Sequence, residues 1–246
     1  MIFSRKKKTV KMLDFKPVNH VAIIMDGNNR YAQAKNLPLQ IGHKKGVENI
    51  EKIVDGAIEF GIKYLTLYAF STENWNRPQD EVGYLMKLLD EYLEKETQIL
   101  AKKNVKIVIC GDIQKLSQNT QEKIVKIEKE TAKNLALTLN VAFSYGARQE
   151  IANACKKIGL AVMENSLKIE EIDEEMVTKN LYQPQIPDPD LLIRTAGDLR
   201  ISNFLLWQIA YTELYFTKKL WPEFSKEDLL EAIIDFNKRE RRYGTR

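Results

Sequence analysis

Six short apolar runs, separated by stretches of helical period, constrain the fold more than any other feature of this sequence. The runs lie at 20–25, 63–70, 105–110, 135–142, 191–194 and 214–216. They have the length of buried strands and little polar alternation, as expected of strands covered on both faces. Between them apolar residues recur every three to four positions. Val47, Ile50, Ile53, Val54, Ala57 and Ile58 form one stripe, opening at Gly42-His43 and closing before Gly61. A long helix is expected from Pro78 to about Lys103, carrying Val82, Leu85, Met86, Leu89, Tyr92, Leu93, Ile99 and Leu100, with Leu88 widening the stripe. Further helices are expected at 117–134, from Tyr145-Gly146 to about Met163, in the acidic patch at 170–175, around Asn203–Ala210 and at 225–241. Strands alternating with helices pair in parallel. The expected fold is therefore one α/β domain, with a mostly parallel central sheet of about six strands flanked by helices. The division is a basic N-terminal tail at 1–17 and a single domain at 18–246, and Gln183–Pro189 reads as an exposed connection.

Composition narrows the class. With 246 residues, 44% hydrophobic and 29% charged, the chain suits a soluble globular domain. Cys110 and Cys155 fall inside apolar elements, with no spacing for zinc or a disulfide framework. A reducing, cytoplasmic compartment fits that usage. No apolar run approaches the roughly 20 residues of a spanning helix. Arg5–Lys8 is followed by no long apolar core, so no signal peptide is read. A net charge of +4 is too mild to argue for nucleic acid or a membrane surface.

The first apolar run ends in Asp26-Gly27, a turn pair, and Asn28 can cap a helix continuing through Tyr31-Ala-Gln-Ala-Lys35. Strand, tight turn and helix aim the free N–H groups of Gly27, Asn28, Asn29 and Arg30 at one spot, which suits phosphate. Arg30 adds a cation. Asp26 adds a carboxylate, unfavourable beside phosphate unless a metal or proton neutralises it, so the stretch suggests a Mg²⁺-diphosphate site. A plain turn is the competing reading, because Asp, Gly and Asn dominate turns. Other polar clusters also follow strands: Ser71–Arg77, Ser144–Arg148 and Arg194–Ser202. Ligands gather at such carboxyl ends. Arg30, Arg77, Arg194 and Arg200 are cations that match phosphate oxygens in pairs, His43 can become one, and Asp26, Glu73, Asp198 and Glu213 are the acids nearby. Singly, each arginine reads as a surface ion pair.

At this point the sequence resembles the cis-prenyltransferases, over about residues 18–244. The matching motifs are HVAIIMDGNNR at 20–30, Gly42-His43, LTLYAFSTENWNR at 65–77, Gly111-Asp112, Leu139-Asn140, Tyr145-Gly146, DLLIRT at 190–195, RISNFLLWQIAYTELYF at 200–216, Leu220-Trp221-Pro222 and RERRYG at 239–244. The resemblance implies repeated condensation of isopentenyl diphosphate onto an allylic diphosphate, farnesyl diphosphate being the expected starter, with cis double bonds and a long product of the undecaprenyl type. Such a product serves as a lipid carrier for cell-wall glycans. It implies that Gly27, Asn28, Asn29, Arg30, Tyr31, His43 and Arg77 serve the allylic diphosphate. Arg194, Arg200, Ile201 and Ser202 would serve isopentenyl diphosphate. Ser71, Thr72, Glu73, Asn74 and Trp75 belong to a substrate loop, where Asn74 is expected to position the departing proton. Asp26 is the expected catalytic acid linked to Mg²⁺, with Glu213 a second metal-associated acid near a homodimer interface. Leu85, Leu88, Val105, Leu137 and Phe143 match positions lining a product tunnel; from spacing alone they are core. Peripheral contact with the membrane is expected of an enzyme whose product is a lipid.

The chain also departs from the family pattern. Leu39 stands where an arginine is common, so one diphosphate contact is lost unless Lys35 or Lys45 replaces it. Asn29 replaces a usual glycine, and asparagine tolerates positive φ. Tyr31, Ala196 and Leu199 also differ, and Phe143 would shorten the product if it projects into the tunnel. Two other classes of function stand beside the enzyme: a non-catalytic partner subunit on the same fold, and a phosphatase using Asp26 as nucleophile. The first is disfavoured because Asp26 and Asn74-Trp75 are present, the second because residue 28 is Asn rather than a second Asp.

Overall fold

His20–Ile24 is buried at every position and forms β1, from which the sheet spreads to both sides. The computed structural model describes Lys16 and residues 18–240, apart from the side chains of residues 96 and 97. The other strands are β2 (Tyr64–Ser71), β3 (Val105–Cys110), β4 (Leu137–Tyr145), β5 (Leu191–Arg194) and β6 (Glu213–Phe216). They form one six-stranded sheet in the order β3-β4-β2-β1-β5-β6. Every pairing is parallel, so all carboxyl ends lie along one rim. The helices are α1 (Asn28–Ala34), α2 (Leu39–Glu59), α3 (Gln79–Glu91), α4 (Thr97–Lys102), α5 (Gln118–Thr131), α6 (Ala147–Met163), α7 (Glu174–Lys179) and α8 (Lys226–Asn237).

Side chains alternate across the sheet. Val21 and Ile23 of β1, Leu65 and Leu67 of β2, and Leu191 and Ile193 of β5 enter a thick core shared with α2, α5 and α8. Ala22, Ile24 and Leu192 face a thinner layer built from Tyr145, Ala147, Phe204 and Leu205. Burial on both faces is why the strands read as near-continuous apolar runs.

Several boundaries differ from expectation for local reasons. The long helix after Pro78 is two helices joined by one π turn, Tyr92–Glu96. That wider turn lets Tyr92, Leu93 and Leu100 all reach the core. No helix forms over 203–210. Ser202, Asn203 and Leu205 have φ of 49°, 59° and 48°, and left-handed residues cannot continue a right-handed helix. The chain there folds as turns, placing Phe204 flat on Tyr68 with ring centroids 4.3 Å apart. α2 starts at Leu39, behind Pro38, rather than at Gly42-His43. Gly42 is needed inside it because a Cβ there would collide with the Asn28 carbonyl of α1.

The expected basic tail, Lys16 excepted, and the Arg-rich end beyond Glu240 lie outside the described residues. Among the described residues no helix is long and apolar enough to cross a membrane.

Candidate active site

Strand order fixes where a ligand can sit. From β1 the chain crosses to β2 on one side, and β5 returns on the other. The crevice at the carboxyl ends of these three strands is the switch point of the sheet. A pocket of about 530 Å³ occupies it, lined among others by Asp26, Asn28, His43, Ser71, Glu73, Asn74, Arg77, Arg194, Arg200, Ser202 and Asn203.

The turn after β1 depends on Gly27. Its φ is +109°, and a Cβ there would lie 3.0 Å from that of Ala196. Gly27, not Asn28, takes the N-cap position, and Asn28 and Asn29 are the first helical residues. Asn29 therefore has no need of the positive φ that its side chain could tolerate. The Tyr31 amide donates to Gly27 O at 2.8 Å, and no described residue accepts from the amides of residues 27–30. The Oδ1 atoms of Asn28 and Asn29 are buried and unpartnered. Turning either amide over would present Nδ2 there instead.

Three arginines meet beside this turn. Arg194, at the end of β5, is almost wholly buried, and its guanidinium donates to Asp26 Oδ2 at 2.8 Å and Ser202 Oγ at 2.7 Å. Arg30 lies 3.1 Å from Asp26 Oδ1 and 3.0 Å from Asp198 Oδ2. Arg200 lies 3.1 Å from that same Asp198 oxygen. Across the pocket Arg77 donates to Glu81 at 2.8 Å. His43 is 3.7 Å from the same Glu81 oxygen, and its Nε2 has no hydrogen-bond partner. Burial lowers the His43 pKa; Glu81 raises it and Arg77 lowers it further. Burial thus favours the neutral imidazole over the cation. Glu81 is a site residue that sequence reading passed over. Its signal was the spacing of four from Arg77 at the start of α3.

The loop after β2 is a 3₁₀ turn, Thr72–Asn76. Asn74 Oδ1 accepts the Ser71 amide at 3.0 Å. Glu73 accepts from Asn203 Nδ2 at 2.8 Å and from Thr72. Trp75 turns inward, donating to Ser144 Oγ at 3.0 Å with its ring edge on Phe70. Thr72, Trp75 and Ile201 are not among the residues that line the pocket. Tyr31 faces Lys35, whose Nζ is 5.1 Å from the ring centroid. Neither lysine offered for Leu39 reaches the pocket, because Lys35 pairs with Glu223 and Lys45 with Glu48.

An apolar cavity of about 80 Å³ continues inward from the polar pocket. Met25, His43, Phe70 and Leu85 border both spaces; Leu88, Tyr92, Val141 and Phe143 line the inner one alone. Phe143 stacks on Phe70 with centroids 5.0 Å apart. Val105 and Leu137 do not line it. They pair with each other at the opposite ends of β3 and β4, about 13 Å further down the strand from Val141 at a strand's rise per residue.

Glu213 is not brought to Asp26. It aligns with Leu191, which aligns with Val21, so it sits about 17 Å from Asp26 along the strand direction. Its carboxylate is bound to Arg239 at 2.9 Å. Among the described residues no three His, Cys, Asp or Glu side chains form a metal cluster. Asp26 remains as a carboxylate at the pocket wall, which suits Mg²⁺, an ion usually held by one or two carboxylates plus phosphate oxygens.

Known proteins resemble the chain over nearly its whole length. Residues 24–244 match the family model Prenyltransf, described as "Putative undecaprenyl diphosphate synthase". The ditrans,polycis-undecaprenyl-diphosphate synthase ((2E,6E)-farnesyl-diphosphate specific) of Vibrio parahaemolyticus is 46% identical over 225 residues, 92% of this chain and 90% of its own. An isoprenyl transferase of Streptococcus agalactiae is 45% identical over 248 residues, 99% of each chain. Lavandulyl diphosphate synthase from Lavandula x intermedia, solved with dimethylallyl diphosphate, superposes with a TM-score of 0.90 at 37% identity, covering 93% of this chain and 98% of its own. A probable undecaprenyl diphosphate synthase from Campylobacter jejuni gives 0.78 at 38% identity, covering 94% and 100%.

Proposed function

This chain belongs to the undecaprenyl diphosphate synthase family of cis-prenyltransferases, and from that premise we propose that it extends farnesyl diphosphate with successive isopentenyl units in the crevice described above. The observation that carries this reading is the junction of a cationic pocket with an apolar cavity through Met25, His43, Phe70 and Leu85. A diphosphate head and a hydrocarbon tail need that pairing of surfaces.

In each cycle the allylic C1–O bond breaks, the isopentenyl double bond attacks C1, a proton leaves isopentenyl C2 and diphosphate departs. The amides of residues 27–30, Arg30 and Arg77 suit the departing diphosphate, because fixed donors stabilise charge as it develops. Arg194, Arg200 and Ser202 suit the second diphosphate, and two clamps align the reacting carbons. Asn74 acts as an orienting donor: its Oδ1 already accepts from Ser71, and an amide has no useful basicity. The diphosphate itself takes the proton. Asp26 is the residue to hold Mg²⁺, which when bound neutralises charge on the diphosphates. Glu213 can join such an ion only from a second copy of the chain, given its distance, which suits a homodimer. The oily product suits a peripheral position at the inner face of the membrane.

Purified protein given farnesyl diphosphate, excess isopentenyl diphosphate and Mg²⁺ should yield a product ladder by mass spectrometry, lost with chelator and reduced at least about 10²-fold in Asp26→Asn. A folded protein giving no ladder would overturn the reading and favour the partner subunit. A ladder stopping early would favour a shorter-chain synthase, a reading supported by the small volume, about 80 Å³, of the apolar cavity that Phe143 helps to line.

A further inference from the structure

Beside the crevice stands an acid to which the chemistry above gives no role. Asp198 follows Ala196 and Gly197, both left-handed with φ of 70° and 81°. The amides of that pair are tied to Lys219 O and Thr217 O. This bend turns Asp198 back over the pocket wall. There its single Oδ2 atom lies 3.0 Å from Arg30, 3.1 Å from Arg200 and 3.7 Å from Arg194. One oxygen among three guanidiniums is the environment of a bound phosphate oxygen, not of an ordinary surface pair.

We propose that Asp198 is a resident counter-ion: its carboxylate holds the seat of a diphosphate oxygen in the free protein and is displaced when diphosphate arrives. The inference rests on the diphosphate reading of this pocket. Arg194 is fixed, with 4% side-chain exposure and bonds to Asp26, Ser202 and the Arg200 carbonyl. Asp198 is 30% exposed and is followed by Leu199, which is 78% exposed. Arg30 and Arg200 are 44% and 62% exposed, so of the groups that meet at this oxygen Arg194 is the one held in place, and the carboxylate can part from it. Charge points the same way. Asp26 and Asp198 offset two of the three clustered cations, and an incoming diphosphate is repelled less once Asp198 has moved away.

The test is calorimetric titration of the full chain with inorganic diphosphate, in chelator, with thermal melts of each variant with and without diphosphate. Asp198→Asn should bind diphosphate roughly tenfold tighter. Its free form should melt below wild type, and the two should melt together at saturating diphosphate, because Asp198 no longer touches the arginines there. Glu48→Gln, which removes a carboxylate paired with Lys45 outside the cluster, should change affinity less than about twofold. Weaker or unchanged binding by Asp198→Asn overturns the proposal, and so does an equal gain in Glu48→Gln. If Arg194→Ala binds diphosphate as wild type does, the diphosphate pocket itself is refuted. If Arg194→Ala loses binding while Asp198→Asn gains none, only the counter-ion proposal fails.

Discussion

Phe143→Ala should lengthen the product by about one isoprenyl unit. The ring is 5% exposed and lines the inner cavity with Val141 and Tyr92. Truncation to Ala removes about six carbons, and an isoprenyl unit brings about five, so the vacated space suits one unit. At about 0.8 kcal/mol per buried CH₂, housing that unit is worth roughly 3–4 kcal/mol, enough to favour one further addition by more than a hundredfold. The same truncation costs stability. A buried Phe→Ala change loses about 3–5 kcal/mol, and this site should lie at the low end because one side of the ring already borders a cavity. The assay is mass spectrometry of products made with excess isopentenyl diphosphate, with circular dichroism melts to verify folding. A folded variant whose longest product matches wild type would refute Phe143 as a limit on chain length. A shift of many units would mean that the cavity had opened through to Val105 and Leu137, well below it.

His20 is held neutral, its pKa lowered to about 4 by burial, which outweighs Pro187 O and Asp190. A lowered histidine pKa means the unfolded chain binds more protons below about pH 6.5, so stability is full above that pH and falls by about 3 kcal/mol as pH drops to 4. Urea midpoints measured across that range should show this slope in wild type and a shallower one in His20→Asn; identical slopes would disprove the assignment. Gly27→Ala forces a Cβ onto a left-handed turn against Ala196 and Leu220, and should lower stability by more than about 1 kcal/mol, read as a fall in melting temperature.

How much of this was legible depended on range. The strands were, because burial on both faces leaves short apolar runs bounded by turn residues and separated by helical stripes; Leu191–Arg194 was placed to the residue. The clustering of Asp26, Arg77 and Arg194 followed from parallel topology, which sends every strand end to one rim. Local backbone was less legible. Asn28 looks like a cap, but the left-handed position falls on Gly27, and the segment 203–210 is apolar without the period that would have separated turns from a helix. Register was out of reach. Only the β5–β6 pairing reveals that Glu213 starts its strand at the far end from Asp26.

Pairing among charges was the least legible, and it changes what the arginines can do. Arg30, Arg194 and Arg200 are already engaged by Asp26 and Asp198, and Arg77 by Glu81. Affinity for an anion is then the difference between two sets of ion pairs, not the sum of four attractions. A monoanion can at best replace the carboxylate it displaces, and gains little. On the proposed reading a diphosphate, with more charge and more acceptor oxygens than one carboxylate, gains on exchange, and the amides of residues 27–30, which no described residue engages, suit the oxygens the arginines do not reach. On that reading the internal acids set a charge threshold, favouring diphosphates over carboxylates and other singly charged solutes. That selectivity follows from groups which, taken singly, look opposed to anion binding.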